Sequence, residues 1–174
     1  TVVSYNTAVG HNAGLSVQKG VKNTLLGALA GDALTSPLAN GDSSYNTAAG
    51  YSALSSDTLG ARSTAFGHEA LATQNFTSST VSANTALGFQ AGRLVSTGTN
   101  NTLVGHEAGT AVTTGANNTA VGLNSQILVG IGAQNTSIGA YSLQTTTTGT
   151  YNIGVGYNAV STSATASGQC TLGN

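Results

Sequence analysis

A five-residue signature, Asn-Thr-small-apolar-Gly, returns along the 174-residue chain with a fixed beat, and no other feature limits the fold as severely. It stands at Asn6–Gly10 (NTAVG), Asn23–Gly27 (NTLLG), Asn46–Gly50 (NTAAG), Ser63–Gly67 (STAFG) and Asn84–Gly88 (NTALG). It continues at Asn101–Gly105 (NTLVG), Asn118–Gly122 (NTAVG), Asn135–Gly139 (NTSIG) and Asn152–Gly156 (NIGVG). The anchor glycines Gly10, Gly27, Gly50, Gly67, Gly88, Gly105, Gly122, Gly139 and Gly156 are spaced 17, 23, 17, 21, 17, 17, 17 and 17 residues apart. A decayed tenth unit is read at Thr165–Gly168.

Further columns keep the same register. An apolar residue precedes most anchors (Val9, Leu26, Phe66, Leu87, Val104, Val121, Ile138, Val155), and Ala or Ser follows three places later. A second glycine column lies ten places on, at Gly20, Gly60, Gly98, Gly115, Gly132 and Gly149. Seven places on, Val17, Val95, Val112 and Val129 mark another inward position, which Asp57 and Thr146 break. Short β-branched stretches between two glycine columns read as one coil of a parallel β-solenoid, an all-β fold of nine to ten coils of about 17 residues. Each coil is expected to hold two strands of about five residues. A helical repeat needs long runs of good helix formers, and these units are Thr, Asn and Gly. The whole chain, 1–174, reads as one solenoid domain with enlarged units at 28–49 and 68–87.

Composition narrows the classes. Nine residues are charged and the formal net charge is −1, so the basic footprint of a nucleic-acid binder is absent. No apolar run approaches the roughly 18–20 residues that cross a bilayer. The lone Cys170 excludes an internal disulfide framework. The chain opens at Thr1 without a signal peptide, as a piece of a longer or processed protein would. With no Met or Trp and three Phe, one coil has little with which to offset the entropy of ordering its residues. Lateral association is therefore expected, a homotrimer first, with a dimer or larger filament behind it.

The unit Asn46–Leu54 (NTAAGYSAL) resembles repeats of phage tail-fibre and tail-spike shafts. It is more distantly similar to the trimeric β-roll heads of autotransporter adhesins, whose repeats are shorter. The ending Ala166–Asn174 (ASGQCTLGN) looks like the segment that leads into a self-trimming C-terminal chaperone in such fibres. The resemblance implies a trimeric shaft on a virion tail or a cell surface.

Catalytic and ligand signatures fare poorly. His68-Glu69 and His106-Glu107 begin a zinc-protease pattern, but Ala72 and Thr110 stand where its second histidine belongs. His11, His68 and His106 share one column with Tyr51, Phe89 and Tyr157, and copies around an axis would bring them together as a metal ring; packed rings are the plainer reading. Gly154–Ala159 lacks the strand-then-helix context of a dinucleotide site, and Gly41-Asp42-Ser43 lacks a nearby histidine. The aspartates are too irregular for a calcium roll. Asn75, Asn100, Asn117 and Asn135 begin glycosylation sequons. No enzyme, metal or cofactor is expected.

The reading is a structural, adhesive fibre shaft that binds a surface glycan or receptor. Its candidate contact loops lie in the two enlarged units, at Thr35, Ser36, Pro37, Asn40 and Asp42 and at Asn75, Phe76 and Thr77. A self-assembling extracellular filament or bacterial adhesin is the alternative. Ice binding by the ladder Thr7, Thr24, Thr47, Thr64, Thr85, Thr102, Thr119 and Thr136 comes third.

Overall fold

The computed structural model describes residues 4–35, 43–128 and 130–174. It is a parallel β-solenoid. Each Asn-Thr signature contributes one three-residue strand: β1 (Thr7–Val9), β2 (Thr24–Leu26), β3 (Thr47–Ala49), β5 (Thr64–Phe66), β7 (Thr85–Leu87), β8 (Thr102–Val104), β9 (Thr119–Val121), β10 (Thr136–Ile138) and β11 (Ile153–Val155). With β12 (Cys170–Leu172) they form one ten-stranded sheet in chain order, and Thr pairs with Thr from β1 to β10. A second, two-stranded sheet joins β4 (Gly60–Ala61) to β6 (Thr80–Val81). The tenth rung is Cys170–Leu172, with Gln169 in the asparagine column and Gly173 in the anchor column, so the decayed unit lies beyond Thr165–Gly168.

The second five-residue strand is not there. Past each anchor glycine the chain makes overlapping turns, as in Ala108 N–H to Gly105 O, Thr110 N–H to Glu107 O and Val112 N–H to Gly109 O. These turns place Glu107 (φ 54°) and Gly109 (φ 61°) in the left-handed region, which a strand cannot include. The anchor glycine is required by crowding as well as conformation. A Cβ on Gly67 (φ 141°) would lie 2.2 Å from the carbonyl oxygen of Gly88. The turns still hydrogen-bond from coil to coil, for example Gln90 N–H to His68 O and Gly109 N–H to Ser125 O, each at 2.8 Å.

The strand's middle residue points inward and its two neighbours point out, by the period-2 geometry of a strand. The core is therefore Leu25, Ala48, Ala65, Ala86, Leu103 and Ala120, facing the Ala column three places past each anchor and Leu34, Val95 and Val112. Val129 lies outside the described residues. In five coils two core positions exchange volume; in the Ala8–Gly14 and Ala86–Gly92 coils both are small, and the space at the glycine is taken by Leu25 or Leu103 of the next coil. Where the strand centre is Leu25 or Leu103, the residue four past the anchor is Gly31 or Gly109; where it is Ala48, Ala65 or Ser137, that residue is Leu54, Leu71 or Leu143. A Cβ on Gly109 would lie 2.5 Å from Leu103 Cδ2, so the two positions share one leucine's space.

Asparagine closes the coils in which the signature begins with Asn. Asn118 Oδ1 accepts the N–H of Asn135 in the next coil at 3.0 Å, and its Nδ2 donates to Gly132 O, at the end of its own coil, at 2.9 Å. The pattern runs through Asn84, Asn101, Asn135 and Asn152. These bonds satisfy a buried polar column that would otherwise be costly. The accessible surface, 7458 Å², is close to the roughly 7,700 Å² of a compact monomer of this mass. A thin core does not by itself call for a partner; that case rests on the surface.

Both enlargements leave from one corner. Register holds through Thr35 N–H to Thr58 O and Asn75 N–H to Ser96 O, and the extra residues follow Thr35 and Asn75. The main sheet passes both without a break.

Candidate contact surface

The outer face of the ten-stranded sheet carries two side-by-side ladders. One is threonine, ending in Ile153 and Cys170. The other is the pre-anchor apolar column, which faces solvent: Val9, Leu26, Phe66, Leu87, Ile138, Val155 and Leu172 are 40–77% exposed. No charged residue belongs to either column. An apolar stripe of this length is unusual on an isolated soluble chain.

At the corner just past the anchor glycines, four rings stack in series. Tyr51 to His68 is 5.3 Å, His68 to Phe89 is 5.2 Å and Phe89 to His106 is 5.0 Å, all within about 23° of parallel. Identical columns on consecutive rungs impose this spacing, so the rings cover one another's faces and offer solvent their edges. Beside them Glu69 Oε2 accepts from Gln90 Nε2 at 2.7 Å and lies 4.0 Å from His68 Nδ1. Phe89 separates His68 from His106 within one chain, and no cluster of three or more His, Cys, Asp or Glu forms among the described residues. His11 is exposed. In another exposed column, Tyr45 lies under Lys22 Nζ (5.2 Å) and Arg62 Cζ (5.9 Å), a cation–π sandwich across three coils.

The candidate loops divide. Thr35 is half-buried; Ser36, Pro37, Asn40 and Asp42 lie outside the described residues. Asn75 and Thr77 are exposed, and Asn75 Oδ1 accepts from Thr58 Oγ1 at 2.8 Å. Phe76 departs from expectation: it is 5% exposed and offers almost no surface for contact. Burial of its ring outweighs any use on a loop that water already wets. Of the sequon asparagines, Asn135 is wholly buried in the ladder.

A polar cluster that the sequence reading missed joins the 50–67 coil to the enlarged unit 68–87. Asp57, Ser63, Gln74, Ser82 and Asn84 are all fully buried. Asp57 accepts from Gln74 Nε2 at 2.6 Å and from the N–H of Gly60 at 2.9 Å. Burial pushes its carboxyl up to about 6 despite these bonds. Ser63 Oγ lies 2.8 Å from Ser82 Oγ, and Asn84 Nδ2 donates to Gln74 Oε1 at 2.8 Å. The available signals were Ser63 replacing asparagine in the signature and Asp57 and Gln74 occupying a valine column.

No family model, curated protein or solved structure matches the chain.

Proposed function

We propose that this chain is a shaft segment of a homotrimeric fibre, of the tail-fibre kind its repeats resemble, that holds an adhesive or receptor-binding surface at a distance. The observation that carries the reading is the uncharged apolar ladder running along one face of the sheet. A partner that covers a row of identical rungs must repeat with the same period, and a second copy of the chain does so by construction. Repeated weak contacts along parallel copies then sum to a firm interface and multiply the affinity of any glycan-binding loop at the enlargements. Asn75, Thr77 and Thr35, with the Lys22–Tyr45–Arg62 sandwich nearby in the stack, are the described residues offered for that contact.

Native mass measurement is expected to return three chains, and replacing Leu26, Phe66 and Leu87 with Thr is expected to return one. A monomeric wild type ends the proposal. A glycan array on the trimer, with an Asn75→Ala and Thr77→Ala comparison, tests the adhesive part.

A self-assembling filament, its copies packed along the same apolar ladder, is the second reading. Electron micrographs with open-ended polymers rather than short rods would select it. The lone threonine rank beside an uneven apolar one, from Ala49 to Phe66, gives ice no flat paired surface.

A further inference from the structure

We propose that Ser63 and Gln74 react to form an intramolecular ester inside the rod, the Ser63 hydroxyl displacing ammonia from the Gln74 side-chain amide. Ser63 Oγ lies 3.2 Å from Gln74 Nε2 and 3.5 Å from Oε1, so it sits against the amide group that carries the carbonyl carbon Cδ. Both side chains have no exposed surface and each is held by other buried groups. Two groups fixed at contact distance react as if at very high local concentration.

The remaining members of the cluster stand where the reaction needs them. As Oγ adds to Cδ, negative charge develops on Oε1, which already accepts the Asn84 Nδ2–H at 2.8 Å. Asp57 Oδ2 contacts the departing nitrogen at 2.6 Å and is placed to protonate it. A carboxyl whose pKa burial raises to about 6 exchanges that proton readily near neutral pH. Ser82 Oγ, 2.8 Å from Ser63 Oγ and itself bonded to Ala61 O, orients the nucleophile. The Oγ–Cδ bond forms and the Cδ–Nε2 bond breaks. Ammonia leaves with the two amide hydrogens and the proton from Oγ, which reaches Nε2 directly or by way of Asp57. No oxidant or co-reactant is consumed, and exclusion of water protects the ester once made.

The other fully buried glutamine, Gln126, supplies a contrast. Its Nε2 donates to Thr119 O at 3.2 Å, and its Oε1 has no donor. It has a buried amide but no group to receive the developing charge.

Intact mass of the purified full chain is expected to be lower than the sequence mass by one ammonia. Cleavage at Glu69, which lies between the two residues, is expected to release a two-chain peptide joined through Ser63 and Gln74. Hydroxylamine on the unfolded protein should part it. Ser63→Ala and Gln74→Glu should each keep the full mass appropriate to their sequence. A wild type at full mass overturns the proposal, whatever the variants do. So does a lighter wild type without the joined peptide, because ammonia lost at an asparagine imide links nothing. So does a lighter Ser63→Ala.

Discussion

The stack from Gly88 to Gly156 and the three coils between Gly27 and Gly88 solve the same problem with different residues. In the first, an unbroken asparagine column satisfies the buried rim, and the inward column is apolar at Val95 and Val112. In the second, Ser63 interrupts the asparagine column, and Gln74 reaches in from the valine column to take up the bonding, backed by Asp57. The backbone path of the sheet is the same in both. What the solenoid fixes is therefore a set of directions, in or out, and a demand that buried polar groups be paired. Which column supplies the pairing group is free, so long as both neighbours change together.

The anchor corner is where the two regions ought not to differ. Gly67→Ala and Gly88→Ala place a Cβ 2.2 and 2.3 Å from the next anchor's carbonyl oxygen, at φ values near 140°. Each is expected to cost about 4 kcal/mol or to abolish folding, read by denaturant unfolding. A tolerated alanine at Gly67 would mean that the enlarged coil is built differently at its corner.

The volume exchange gives the next largest effect. Leu103→Ala is expected to cost about 3 kcal/mol. Gly109→Leu alone should also destabilise, because its Cβ meets Leu103 Cδ2. The double variant recreates the Ala65–Leu71 arrangement of the enlarged region at a φ that Leu54, Leu71 and Leu143 already adopt. It should recover most of the loss, a coupling seen as clear non-additivity in unfolding free energies. Additive losses would show that the two regions do not share one core plan.

The repeat made the solenoid legible because a 17-residue period, glycine punctuation and Thr-Asn composition leave few ways to bury anything. It did not give the face of each column. The pre-anchor residues Leu26, Phe66 and Leu87 look like core by hydropathy, yet the strand's period of two sends them out once Leu25, Ala65 and Ala86 are sent in. The Gly14, Gly31, Gly92 and Gly109 column was present to be read as left-handed turns and would have argued against a second strand. Its alternation with leucine hid it. The ester site was hidden for another reason: Asp57, Ser63 and Gln74 belong to three places in the repeat that only stacking brings together.

Asn118→Ser carries the enlarged region's serine into the regular stack without a glutamine to compensate. It leaves the N–H of Asn135 and the carbonyl of Gly132 without their side-chain partner. The expected loss is about 2 kcal/mol, by chemical denaturation. The reverse change, Ser63→Asn, should gain nothing while Gln74 occupies the space. A cost-free Asn118→Ser would remove the asparagine ladder from the account of stability.

Acidity separates the regions last. Asp57 is held at about 6 when folded, against an ordinary value of 3.8. Below about pH 4 both states hold the proton. Between about 4 and 6 the unfolded chain releases it while the folded chain keeps it, so the unfolded state binds fewer protons and stability falls as pH rises through that window, levelling off above it. The fall is at most about 3 kcal/mol. Asp57→Asn should flatten most of it, and Asp32, also raised by burial, should leave a residual slope of the same sign. Thermal unfolding of the wild type and Asp57→Asn from pH 4 to 7 measures both. Because the valine column of the Gly88–Gly156 stack holds no acid among its described residues, a slope that survives unchanged in Asp57→Asn would place the titrating group elsewhere and detach the buried polar cluster from the pH response.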